Sequence, residues 1–195
     1  MLNKLEHYGL MGSFKIFFSL IYTKIFHPTA KIIRLPIDIR GKKNIDFGYD
    51  FVSGFNCRIE TYNSGKIIFG KCCQINDYVH IASNSSIIFG DNCLIASKVF
   101  ISDLSHGFYN GNNQSKPTDI CSQRELDSNP IIIGNNVWVG ESCSILPGVN
   151  IGNNVIIGAN SVVTKSFSDN VIIAGNPATI IKKWNEIKKE WDKVY

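Results

Sequence analysis

The 195-residue sequence predicts an all-β chain wound as a parallel β-helix of six-residue repeats. Three observations point there: an apolar residue at every sixth position, a small residue directly after many of these, and one long polar break in the series. Reading every sixth residue from Ile39 gives Ile39, Ile45, Phe51, Cys57, Asn63, Phe69, Ile75 and Ile81. After a two-residue offset the series resumes at Phe89, Ile95 and Ile101, and after the break it returns as Ile133, Val139, Ile145, Ile151, Ile157 and Val163. Only Asn63 in this set is not apolar, whereas composition alone would make about seven or eight of the positions apolar. Gly70, Gly90, Gly134, Gly140, Gly152 and Gly158 each follow an apolar position directly.

A six-residue period is neither the 3.6 of an α-helix nor the simple alternation of a two-sided strand. Three such segments close a triangular coil, about eighteen residues around, that stacks on identical neighbours and buries a continuous apolar column. Asn and Gly at the corners tolerate positive φ. A β-sandwich would instead place its turns every eight to twelve residues.

The elements follow in order. Residues 1–30 read as a helical N-terminal segment, apolar over 14–26 but interrupted by Lys15 and Lys24. Its unbroken apolar stretch falls well short of the ~20 residues of a spanning helix, and no cleavage site follows it. It is expected to pack on the protein or lie at a membrane surface. Residues 31–177 form the β-helix, entered through the alternating Ile33, Leu35, Ile37 and Ile39. Residues 178–195 are expected to form an amphipathic helix, because Trp184, Ile187, Trp191 and Val194 recur at spacings of three and four.

Composition narrows the function. A net charge of +4 with scattered basic residues gives no nucleic-acid patch. The six cysteines lack a C-x-x-C spacing, so they read as small buried side chains in a reducing, cytoplasmic setting. With only His80 and His106 in the repeat region, a three-histidine zinc site is unsupported, and no metal is expected. Nor is there a repeated outward Thr array of the kind that marks ice-binding β-helices.

A regular prism has no pocket, so function falls to what breaks the repeat. The break spans residues 102–130, polar and rich in Asn and Gly, and carries His106 followed by Gly107. His80 precedes Ile81 inside a coil and is expected to face outward.

The stretches ISDLSHG, IIIGNNVWVGESCSILPGVNIGNNVIIGANSVVTK and AGNPATIIKKW resemble the hexapeptide O-acetyltransferases. The likeness is strongest to those acting on capsule and lipopolysaccharide O-antigen sugars, and weaker to the galactoside and maltose acetyltransferases. The resemblance implies a left-handed β-helix, acetyl-CoA as the acetyl donor, and a homotrimer with sites in the clefts between prisms. It implies that His106 is the catalytic base. Imidazole, titrating near neutrality, is suited to removing a sugar hydroxyl's proton. It places Trp138 beside the pantetheine arm and the acceptor, with Gly140, Ala159, Thr164, Lys165 and Lys182 along the rest of the donor. Where the family often carries Arg for the nucleotide phosphate, this chain has Thr179 and Lys182. On the acceptor side Gly54 replaces the usual Asn, which leaves Asn56 and Glu60 as candidates and argues against a simple galactoside. The acceptor class, assembled on lipid carriers at the inner face of the membrane, makes peripheral membrane contact an expectation. An N-acetyltransferase acting on an amino-sugar nucleotide is the alternative within the same chemistry.

Overall fold

The computed structural model describes residues 2–194, with side chains from Tyr8 onward, and shows a left-handed β-helix behind one N-terminal helix. Each coil runs through three parallel sheets. The first face stacks Ile37–Arg40, Cys57–Thr61, His80–Ser83, Phe100–Ser102, Ser144–Ile145 and Val162–Val163. The second stacks Ile45–Asp46, Lys66–Ile68, Ser86–Phe89, Ile131–Ile133 and Asn150–Ile151. The third stacks Gln74–Ile75, Leu94–Ile95, Trp138–Val139, Ile156–Ile157 and Val171–Gly175.

The six-residue apolar series lines the interior, and a second buried series lies two residues before it, through Ile67, Cys73, Val79, Ile87, Cys93 and Val99. Toward the N-terminal end the column is aromatic, with Phe69 stacked on Phe89 at 4.6 Å. Four cysteines, Cys57, Cys73, Cys93 and Cys143, are buried in it, and all six are free. Each buried thiol donates to the carbonyl of a residue in the next coil, as from Cys93 Sγ to Gly134 O at 3.1 Å. Cys72 and Cys121 depart from expectation and are exposed, the first at a corner and the second in the loop.

The corners divide the expected work differently. Positive φ falls mainly on Asn, as at Asn92, Asn136, Asn154 and Asn170. Most repeat glycines have ordinary φ and are small for another reason. A Cβ on Gly90 would sit 2.7 Å from the Gly134 carbonyl carbon of the next coil. Beside them a polar ladder ties the coils together: Asp91 N donates to Asn135 Oδ1, Asn135 N to Asn153 Oδ1, and Asn153 N to Asp169 Oδ1, each at 2.8 Å.

The C-terminal helix expected over 178–195 is absent. Ala178–Asn185 and Glu190–Lys193 form an antiparallel hairpin that extends the third face from Val171–Gly175. Trp184 pairs with Trp191 across the hairpin, rings 5.4 Å apart, and Ile187 stands exposed at its tip. The spacing that mimicked a helical stripe arises from a cross-strand pair. The hairpin uses the backbone groups that the last parallel strand would otherwise leave at an open edge.

Helix α1 spans Leu2–Phe26 with a kink at Gly9, whose φ is 65°. It docks on the entering segment through its polar side chains: Thr23 Oγ1 accepts from Ile33 N at 2.8 Å, and Ser19 Oγ from Leu35 N at 3.0 Å.

Candidate active site

The 102–130 break is a folded excursion rather than a structureless loop. It leaves the prism at the edge between the first and second faces, after Phe100–Ser102, and the coil resumes at Ile131–Ile133 in register with Ser86–Phe89. Leu104–His106 pairs antiparallel with Leu126–Ser128. At the root, the fully buried carboxylate of Asp103 accepts from Ser83 Oγ at 2.6 Å, Asn84 N at 2.8 Å and Ser85 N at 3.1 Å. Further out, Arg124 gathers the loop, donating to Tyr109 Oη at 2.9 Å and to the Asp119 carbonyl at 3.0 Å. Tyr109 Oη in turn donates to the His106 carbonyl. The backbone of His106 is therefore held by Tyr109 and by its strand pairing with Leu126, while its imidazole is exposed and takes no part in the hydrogen bonds among the described residues.

Trp138 lies half-exposed on the third face, in one outward row with Leu94, Ile156, Ile172 and Lys182. At the ~4.8 Å spacing of neighbouring strands, Trp138 and Lys182 are about 14 Å apart along this row. From Trp138 to Lys182 the row is an apolar track that starts at an aromatic ring and ends at ammonium groups, Lys182 standing opposite Lys193. Such a track fits a long, flexible arm ending in phosphates. Gly140 and the exposed Ala159 stack on the edge between the third and first faces. A Cβ on Gly140 would come within 2.6 Å of Ala159 N, so coil stacking by itself requires a glycine there. Thr164 and Lys165 are exposed on the other edge, the one that carries the loop, with Lys165 Nζ 5.8 Å from the centre of the Phe167 ring.

Neither acceptor candidate joins His106. Asn56 turns a corner between the third and first faces with φ 56°. Glu60 is on the first face, but its side chain is only 2% exposed and is already bound by Arg58 at 2.8 Å and His80 Nε2 at 2.9 Å. Burial alone would raise the Glu60 carboxyl, yet the hydrogen bonds from His80 and Arg58 outweigh it and hold the group below its ordinary range. Glu60 is a structural anchor, and His80, outward-facing as expected, is its partner.

Within one chain the loop edge bearing His106 and the third face bearing Trp138 and Lys182 lie on opposite sides of the prism. Sequence reasoning singled out His106 and Trp138, which one chain does not bring together, and missed Asp103, Tyr109 and Arg124, which organise the loop. Asp103 is signalled only by its place three residues before His106, at the first break in the repeat. No group of three His, Cys, Asp or Glu side chains that could hold a metal occurs among the described residues.

Residues 130–165 match the bacterial transferase hexapeptide (six repeats) family. The chain is also 44% identical over 189 residues to a full-length relative, covering 96% of both chains, and it belongs to the bacterial hexapeptide-repeat transferases. That relative is a protein of Escherichia coli K12 whose provisional name is lipopolysaccharide biosynthesis O-acetyl transferase WbbJ. Among solved structures, galactoside acetyltransferase in complex with coenzyme A aligns with a TM-score of 0.52 at 29% identity, over 82% of this chain and 72% of that one. The N-acyltransferase AntD from Bacillus cereus shares the fold, with a TM-score of 0.68 at 24% identity over 82% and 84% of the two chains.

Proposed function

We propose that this protein transfers the acetyl group of acetyl-CoA to a hydroxyl of a sugar in a surface polysaccharide or its precursor, with His106 as general base. The observation that carries the reading is the placement of His106. Its exposed imidazole stands on a strand paired with Leu126 and tied by Tyr109, within a loop rooted by Asp103 and gathered by Arg124, at the long interruption of the repeat. The full-length likeness to WbbJ and the coenzyme A complex of galactoside acetyltransferase support the donor and the acceptor class.

Acetyl-CoA would supply an activated thioester carbonyl, and Trp138, Lys182 and Lys165 are the groups placed to hold it. A sugar hydroxyl is a weak nucleophile until its proton is removed. His106 takes that proton as the oxygen attacks, then returns it to the departing thiolate. Holding both reactants together makes an acyl-enzyme unnecessary.

The loop edge and the apolar track face away from each other in one chain. They meet when the loop edge of one copy faces the third face of the next, an arrangement that a closed three-fold ring repeats without leaving open contacts. We propose a homotrimer with its sites between copies.

The test is His106→Ala. Loss of a general base costs about 10²–10⁴-fold in turnover, with binding of the donor retained. Near-normal turnover by the folded variant would remove His106 from the mechanism. Parallel assays with hydroxyl and amino acceptors separate O- from N-acetylation.

A further inference from the structure

Helix α1 is inside out. Its fully buried side chains are the polar ones, Ser19 at 0% and Thr23 at 2% exposure, with Tyr22 half-buried against His27, which is itself buried just beyond the helix end. Its large apolar side chains point away, with Phe14 61% and Phe18 60% exposed. A lid would bury apolar surface against the end of the prism. Here that end is closed by Ile33, Phe47 and Phe51 together with His27, whose ring packs edge-on against Phe47 at 4.9 Å. The outward face of α1 contributes nothing to the column and is left for something else.

Charge identifies that occupant. On a helix turning about 100° per residue, Phe14, Phe18, Ile21 and Ile25 share one side, and Lys15 and Lys24 stand about 90° to either side of it. No Asp or Glu occurs from residue 7 to residue 26. An apolar centre bracketed by lysines is the pattern of a helix lying in a membrane interface, with rings among the acyl chains and ammonium groups at the phosphates. Alongside, Met11, Phe14, Phe18, Leu35, Pro36 and Lys15 line an open groove of ≈ 590 Å³ that is mainly apolar. It has room for an acyl chain beneath the Lys15 ammonium.

We infer that α1 seats this protein on an anionic phospholipid surface, its axis in the plane of the interface. By length and composition Tyr8–Phe26 is apolar enough to cross a bilayer. However, Ser19 and Thr23 tie the middle of the helix to Leu35 and Ile33, so a crossing would have to tear it from the prism. The inference does not depend on the acetyl-transfer reading. It places the N-terminal end of the β-helix against the bilayer.

The test is co-sedimentation of the full chain with phosphatidylcholine vesicles, with and without phosphatidylglycerol. The expected result is binding that requires phosphatidylglycerol and falls with salt. Two lysines at the surface contribute about thirty-fold in partitioning, so Lys15→Glu with Lys24→Glu should lose at least that much. Phe14→Ser, Phe18→Ser and Ile21→Ser together should abolish binding while the melting temperature and the mass in solution stay unchanged. Should the triple variant fail to fold, the lysine pair still decides the question. Absence of wild-type binding would overturn the inference, as would equal binding by the lysine variant. A drop in solution mass of the triple variant would overturn it in favour of a contact between copies. Activity on a soluble acceptor should be the same in wild type and both variants, which keeps this result separate from the fate of His106.

Discussion

Replacing Asp103 with alanine removes the acceptor of two backbone amides and one hydroxyl at the root of the loop. Asp103 and Ser83 are fully buried, and the donors on Ser83, Asn84 and Ser85 lie 2.6, 2.8 and 3.1 Å from the carboxylate. The Ser83 hydroxyl keeps an acceptor in the Lys66 carbonyl at 3.1 Å, so the loss falls on the two amides, and at ~1–3 kcal/mol for each donor left without a partner the substitution should cost about 2–4 kcal/mol in all. For a chain of this length that lowers the melting temperature by roughly 4–16 °C. His106 lies only three residues along a strand pinned at this point. A displacement of its imidazole by about an ångström would reduce turnover by up to ~10²-fold, with the KM for the donor little changed. Asp103→Asn keeps the shape and one oxygen, and should fall between wild type and alanine on both scales. Thermal melting followed by circular dichroism, with steady-state kinetics on the same samples, measures both effects. An alanine variant that melts within two degrees or so of wild type, or one that is destabilised yet turns over normally at low temperature, would refute the reasoning.

Further expectations concern assembly and pH. If the site is completed between copies, co-refolding His106→Ala chains with Trp138→Ala chains should restore part of the activity that each variant lacks alone. Mixtures as inactive as their parents would place His106 and Trp138 in one subunit's site. Burial first, and then the charge of Lys42, pushes the His27 imidazole down from 6.5 to about 4. The folded state therefore holds a neutral ring while the unfolded chain takes up a proton first as pH falls. Stability should be flat above about pH 7 and decline between 6.5 and about 4. His27→Phe should flatten that window. Glu60, held below its ordinary value, acts with the same sign but only in more acid solution. An unchanged slope in the phenylalanine variant would assign the decline to other groups.

The column was legible because its constraint is local: each interior position is met once every six residues, so one phase of the sequence reports one wall of the prism. The second buried series, through Ile87 and Val99, follows from the same geometry once coils are drawn as faces. The C-terminal hairpin was not legible, because Trp184 and Trp191 meet across a turn and their spacing coincides with two turns of a helix. The alternating exposure of Thr179, Ile181 and Lys183 is the strand signal that the tryptophans obscured. The place of His106 at the break in the repeat was legible, while its proposed role came from the resemblance to the hexapeptide O-acetyltransferases. Asp103 and Arg124 could not, since what they do depends on partners one coil back or across the loop. Glu60 was a candidate because it falls in the stretch that matches the acceptor side of the galactoside relatives, and the sequence says nothing of Arg58 and His80 closing over it.

Acetyl transfer to sugar is tested most directly by mass spectrometry of surface polysaccharide from cells that carry this chain, carry its His106→Ala variant, or lack it. The prediction is an acetyl ester on one residue of the repeating unit, present only with the wild-type chain and removed by mild alkali. Identical polysaccharide from all three cells, or an alkali-stable acetamide that depends on the wild-type chain, would contradict it.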